Sequence, residues 1–228
     1  MRLRTLSFLI TLIYLPVGTV LNGQNAEQME TPYADWVEPD FPFFSSILDA
    51  RELEGDFPKD NLTPRGIVFN LGHDLWVCFD TDLLRVAAVW EGKGVTPDSL
   101  GPKSYHPWGS KTIGGQDHSP KPDGEVWLAN GIYPGWQIGN QVRLEDPREP
   151  APSPEEVGRG PLPESMGRMK AVRLTEDGAL LEYTVGSTLV REKFKAANVA
   201  GPWYVERHLE LSGLSRPANL VVGKISQG

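Results

Sequence analysis

The sequence predicts an all-β protein, an antiparallel β-sandwich with long Pro/Gly-rich loops. Three observations carry that expectation. Residues 75–92, the most hydrophobic stretch after the N-terminus, divide at Asp80-Thr81-Asp82 into two strand-length runs rich in β-branched and aromatic residues. From residue 168 onward, apolar and polar residues alternate in short runs separated by explicit turn residues. Two long stretches, 91–124 and 145–167, lack hydrophobic periodicity and are punctuated by proline and glycine.

The organising hairpin comes first. Leu75, Val77 and Phe79 alternate with Trp76, Cys78 and Asp80, and in the second run Leu83, Ala87 and Val89 share a face with Arg85. Both faces are largely apolar, so the hairpin belongs in the middle of a sheet covered on both sides. A strand over 65–71 precedes it, linked by a turn at Gly72-His73-Asp74. Before that, residues 27–60 form an acidic, aromatic arm, with proline-spaced Tyr33, Trp36 and the run Phe41-Pro42-Phe43-Phe44 whose rings need a surface to cover them. A short helical turn is expected over 46–54. After the hairpin comes a loop over 91–124, a strand over 125–129, and linked turns over 130–136 that display Tyr133 and Trp136. The six prolines of 145–167 predict an extended excursion across the surface. A meander follows, with strands over 169–175, 179–185, 188–194, 203–211 and 219–224. Glu176-Asp177-Gly178 and Gly186-Ser187 supply its tight turns. Ala179, Leu181, Tyr183 and Val185 form one apolar face, and Trp203, Val205, Leu209 and Leu211 another. A one-faced meander beside a doubly covered hairpin makes two packed sheets.

The formal net charge is -8, and the ten acidic against two basic residues of 27–60 account for all of it. Lys and Arg are scattered, which excludes the basic footprint of a nucleic-acid-binding protein. Arg2 and Arg4, an apolar run over 6–20 interrupted by Pro16, and the polar Asn22 to Asn25 have the layout of an export signal, assigned to residues 1–24. The run is short for a bilayer span, so cleavage near Gly23 is preferred to an uncleaved membrane anchor, and the expected location is periplasmic or secreted. One cysteine, Cys78, can neither form an internal disulfide nor complete the Cys-x-x-Cys-His attachment of a c-type haem. It reads as a buried, inert thiol.

Few residues concentrate chemistry. Asp74, Asp80 and Asp82 place three carboxylates around two neighbouring turns. Calcium is the cation such oxygen ligands would take, but aspartates at hairpin turns more commonly cap backbone N–H groups. Arg85 on an apolar face needs an ion-pair partner among them. Tyr105, His106 and Trp108 are the ligand-binding candidates of the long loop, where rings stack on a ligand or shelter backbone with equal weight; Tyr133 and Trp136 are the candidates of the linked turns. His208 between Glu206 and Glu210 reads as a solvated strand face. No nucleophile elbow, phosphate-cradling loop or zinc motif occurs.

Taken together, Tyr33-Ala-Asp-Trp36, Phe41-Pro-Phe-Phe44, Asn61-Leu-Thr-Pro-Arg-Gly66, Cys78-Phe-Asp-Thr-Asp-Leu-Leu-Arg85, Trp127-Leu-Ala-Asn-Gly131 and Pro134-Gly-Trp136 resemble the N-terminal domain, of unknown function, of secreted haem-binding cytochrome c proteins of planctomycete-type bacteria. Gly160-Pro-Leu-Pro163 and Tyr183-Thr-Val-Gly186 fit the same pattern. The resemblance implies a periplasmic redox or polymer-degrading system, with haem carried on a downstream or partner domain, and a sandwich over 61–228 that is truncated at its C-terminal end or continued in a separate chain. It implies no catalytic residues. The expectation is therefore an exported module, not catalytic by itself, that partners a cytochrome c and binds a partner domain or an extracellular carbohydrate. The alternative is the substrate-binding part of a periplasmic oxidoreductase acting on sugars or related polymers, with Asp80, Asp82, Arg85 and His106 near its site. A degenerate fragment unable to fold alone is the third.

Overall fold

The computed structural model describes residues 40–96, 119–150, 159–199, 201–214 and 216–223. Every regular element among them is a strand, and every pairing is antiparallel. The first sheet runs in chain order: β1 (Phe43–Asp49), β2 (Leu62–Asn70), β3 (Leu75–Asp80), β4 (Arg85–Val95) and β5 (Pro122–Ala129). After the short β6 (Trp136–Ile138), the second sheet is the meander β7 (Gly167–Thr175), β8 (Gly178–Val185), β9 (Thr188–Asn198) and β10 (Trp203–Ser212). β11 (Ala218–Leu220) does not extend the meander, as the run over 219–224 suggested. It pairs with β6 in a separate two-stranded ribbon, Leu220 opposite Trp136.

The sandwich core lies between the two larger sheets. Phe69, Val77, Phe79 and Val89 of the first meet Leu181, Tyr183, Val190, Phe194 and Leu209 of the second. Ring centroids of Phe69 and Phe194 are 5.3 Å apart, and those of Phe79 and Tyr183 5.5 Å. The apolar phases expected for β8 and for much of β10 are therefore inward. The other face of the first sheet carries a second cluster, Leu48, Val68, Trp76, Cys78, Ala87, Ala88, Trp90 and Val95. The sheet curls, so that its two edges meet at one end: Asp49 N donates to Pro120 O just before β5 (2.8 Å), and Lys121 pairs with Glu52 (2.6 Å). Close strand approach makes the curl possible. A Cβ on Gly124 would lie 2.0 Å from Glu91 O, and one on Gly66 2.8 Å from Cys78 Sγ.

All six residues of β3 are buried, as a centrally placed strand requires. The phase predicted for the next strand fails at one point. Cys78 pairs with Ala88 but Phe79 with Val86, leaving Ala87 as an extra, bulged residue. Ala87 consequently joins the second cluster while Leu83 and Val89 join the sandwich core. Residues 46–54 make no helical turn; Phe43–Asp49 is the edge strand of the first sheet, because Phe44 and Leu48 can bury themselves in the second cluster only from an extended backbone. The excursion over 145–167 is tied down where Leu162, 1% exposed, enters the sandwich core.

Candidate functional site

A hairpin whose apolar run contains Asp80 and Arg85 must settle two buried charges, and the structure shows how. Asp80 Oδ1 accepts from the backbone N–H of Asp82 (2.9 Å) and Leu83 (3.2 Å), capping the turn that Leu84 completes in a left-handed conformation (φ 51°). Its Oδ2 accepts from Arg85 Nε at 3.2 Å. The remaining Arg85 donors go to Asn130 O (2.7 Å), Asn61 Oδ1 (3.0 Å) and Thr63 Oγ1 (3.4 Å). Asn61 in turn donates to Ala87 O, and Asn130 to Val86 O and Val222 O. The guanidinium thus joins β2, the β3–β4 turn and the residue that follows β5 through four hydrogen bonds. The capping role and the ion pair expected from the sequence both hold for Asp80.

Asp82 faces the other way. It receives Arg65 through Nε (3.1 Å) and Nη2 (2.9 Å), with Arg148 Nη1 at 3.9 Å. Arg148 is itself held by Asp146, Nε to Oδ1 and Nη2 to Oδ2 at 2.9 Å each, and donates to Gly160 O (2.5 Å). Burial, reinforced by the neighbouring Asp80, pushes the Asp82 carboxyl above its ordinary value despite Arg65. Asp146 goes the opposite way: burial raises it, but the hydrogen bonds from Arg148 outweigh that and leave it low.

The sequence reading missed a third network. In β9, Glu192 occupies the inward phase between Val190 and Phe194, fully buried. Arg207, on the inward phase of β10, donates through Nε to Glu192 Oε1 at 2.6 Å and lies over the Phe194 ring. Tyr183 OH donates to Glu192 Oε2 (2.6 Å) and accepts from Trp136 Nε1 (2.8 Å). Burial first, then the adjacent Glu192 charge, drives the Tyr183 phenol well above its ordinary value; the same carboxylate raises Arg207 against its own desolvation. The available signal was opposite charges on matching inward phases of consecutive strands.

The structure redistributes the other candidate residues. Asp74 lies beyond the far end of β3 from Asp80, roughly 20 Å away at the rise of an extended strand, so the three aspartates do not form one cluster. Among the described residues no group of three His, Cys, Asp or Glu side chains is placed to hold a metal ion. Tyr133 and Trp136 are buried rather than displayed, at 4% and 7% exposure. The turns that carry them fold back onto the core, where the Tyr133 hydroxyl donates to Asn130 (2.8 Å) and Trp136 reaches Tyr183. Tyr105, His106 and Trp108 lie outside the described residues. Cys78 is completely buried, and burial together with Asp80 pushes its thiol far up, an inert group as expected. His208 is exposed beside Glu206 at 2.8 Å.

One open concavity of about 510 Å³ lies beside β6, between the loop over 139–147 and Met166. The loop is held from beneath. The buried amide of Gln137 donates to Pro134 O and Arg143 O and accepts from Arg143 N, while Asn219 Nδ2 donates to Gly139 O.

No curated protein and no solved structure matches the chain. A family model does match, over residues 77–192, just over half of the chain, a span that takes in Asp80, Asp82, Arg85, Asn130, Trp136, Tyr183 and Glu192. That model is described as Domain of unknown function (DUF6797), and the chain belongs to this family.

Proposed function

We propose that the protein is an exported binding module, not catalytic by itself, that accompanies a c-type cytochrome and binds a partner domain or an extracellular carbohydrate. The observation that carries this reading is the commitment of the buried ionisable groups to one another. Asp80 is spent on Arg85, Asp82 on Arg65, and Glu192 on Arg207 and Tyr183. A general acid, base or nucleophile has to reach a substrate, and these three carboxylates are engaged inside the fold. That weighs against Asp80, Asp82 and Arg85 as the site of a sugar oxidoreductase. The association with a periplasmic cytochrome rests on the sequence resemblance alone.

The test uses the purified chain with a c-type cytochrome and neutral oligosaccharides. Calorimetric binding of either, with no sugar-dependent reduction of the haem, is the expected result. Sugar-dependent haem reduction that requires the chain would establish the oxidoreductase reading instead.

A further inference from the structure

The concavity beside β6 is lined by polar donors and acceptors next to aliphatic side chains, and its assignment deepens the binding reading on which it rests. We infer that it is a subsite for a neutral saccharide, recognised through its hydroxyl pairs. Three kinds of group converge there. Asn140, Gln141 and Arg143 bring amide and guanidinium donors, all three exposed. Glu145 brings an exposed carboxylate acceptor. Pro134, Pro147 and Met166 supply aliphatic surface without an aromatic ring.

Adjacent sugar hydroxyls each donate one hydrogen bond and accept others, so they match a site offering donors and an acceptor side by side. A charged ligand would meet Arg143 and Glu145 together, attracted by one and repelled by the other. A purely apolar ligand would strip water from four polar side chains without replacing it. The volume, about 510 Å³, is within the usual range for small-molecule sites.

The site is also built in advance. Gln137 fixes the backbone of Arg143 through two hydrogen bonds and reaches Pro134 O with a third, and the Asp146–Arg148 pair anchors the end of the loop. A preformed loop has little ordering entropy left to lose on binding. It is the Arg143 backbone that Gln137 holds, so truncating the side chain of Asn140 or Arg143 removes none of these hydrogen bonds.

Titrating the full chain with cellohexaose, xylohexaose and mannohexaose, followed by amide chemical-shift mapping, tests the assignment. At least one sugar is expected to shift the amides of residues 138–147, with Arg143→Ala and Asn140→Ala each weakening that binding about tenfold at unchanged melting temperature. Saccharide binding mapped elsewhere, or left unchanged in both variants, overturns the subsite while leaving the binding-module reading intact. Shifts at 138–147 produced by an unstructured neutral peptide but by none of the sugars assign the pocket to polypeptide and overturn the saccharide. No binding of sugar, peptide or cytochrome overturns both.

Discussion

A guanidinium has five N–H donors and no way to shed its charge at physiological pH, so burying Arg85 to 1% exposure is tolerable only because Asp80, Asn61, Thr63 and the carbonyl of Asn130 take four hydrogen bonds from it. Arg85→Met leaves the buried Asp80 without its counter-charge, and a loss of about 3–5 kcal/mol in urea unfolding is expected. The double variant Asp80→Asn with Arg85→Met should recover part of it, since no lone charge then remains. If the single and double variants lose the same amount, the pair is not what stabilises the turn. Tyr183→Phe is a milder lesion of the same kind. It strips a hydrogen bond from both Trp136 Nε1 and Glu192 Oε2, and about 1–3 kcal/mol should be lost, with intrinsic tryptophan fluorescence reporting the altered Trp136 environment. At this scale the sequence was legible for Asp80 and Arg85, because charges inside an apolar run demand partners. Glu192 and Arg207 were equally legible in principle. Each sits on the inward phase of its strand, but the alternation was read from apolar residues only, which skips a charge on a core position.

For the strands, the sequence reading overlaps nine of the eleven and misses β1 and β6, because period-two alternation and Gly-bearing turns are local signals. Three features were not local. The bulge at Ala87 depends on how β3 and β4 pair, and alanine fits either face. The strand β1 depends on an apolar cluster assembled from distant residues, so its own proline-flanked sequence did not announce it. The turns over 130–136 look surface-like in composition, yet fold inward because Trp136 and Tyr133 find hydrogen-bond partners there. Strand approach yields a prediction of its own. At the β4–β5 pair, Gly92 faces Gly124, and a Cβ at 124 would meet Glu91 O at 2.0 Å. Gly124→Ala must push the two strands apart, costing about 1–3 kcal/mol and freeing nearby β5 amides to exchange. Unchanged stability and exchange would mean that the curl of the first sheet does not depend on this contact.

The latch that Arg148 makes between Asp82 of the β3–β4 turn and Asp146 gives two pH effects of opposite sign. Asp146 is held below its ordinary 3.8, so its contribution is fully present above that value and is lost as pH falls through the lower folded value. Asp82 is raised above 3.8, so the folded state favours its protonated form; that contribution is present below 3.8 and is lost as pH rises through the folded value. Melting curves from about pH 7 to about pH 3 should therefore flatten at the acid end in Asp146→Asn. In Asp82→Asn the small gain on mild acidification should disappear. Identical profiles in both variants and the parent would remove the latch from the account.

In the whole molecule, the two apolar clusters share one sheet. β3 and β4 contribute one face to the sandwich core and the other to the second cluster, so neither cluster can be lost without disturbing the same pair of strands. The three polar networks reinforce that coupling. Arg85 fastens β2 and the end of β5 to the β3–β4 hairpin, Asp82 fastens Arg65 to the 146–148 segment, and Glu192 fastens β8 and β10 to β9 and, through Tyr183, to β6. Two sheets joined this way should unfold together. Circular dichroism and tryptophan fluorescence are expected to give one coincident transition in urea, and native-state exchange should be slowest in β3, β4 and β8, whose amides open only with the global event. The same result would set aside the degenerate fragment weighed from the sequence, since a chain unable to fold alone has no cooperative transition. Two separated transitions, with β7–β10 losing protection before β1–β5, would show instead that the second sheet is a dependent layer.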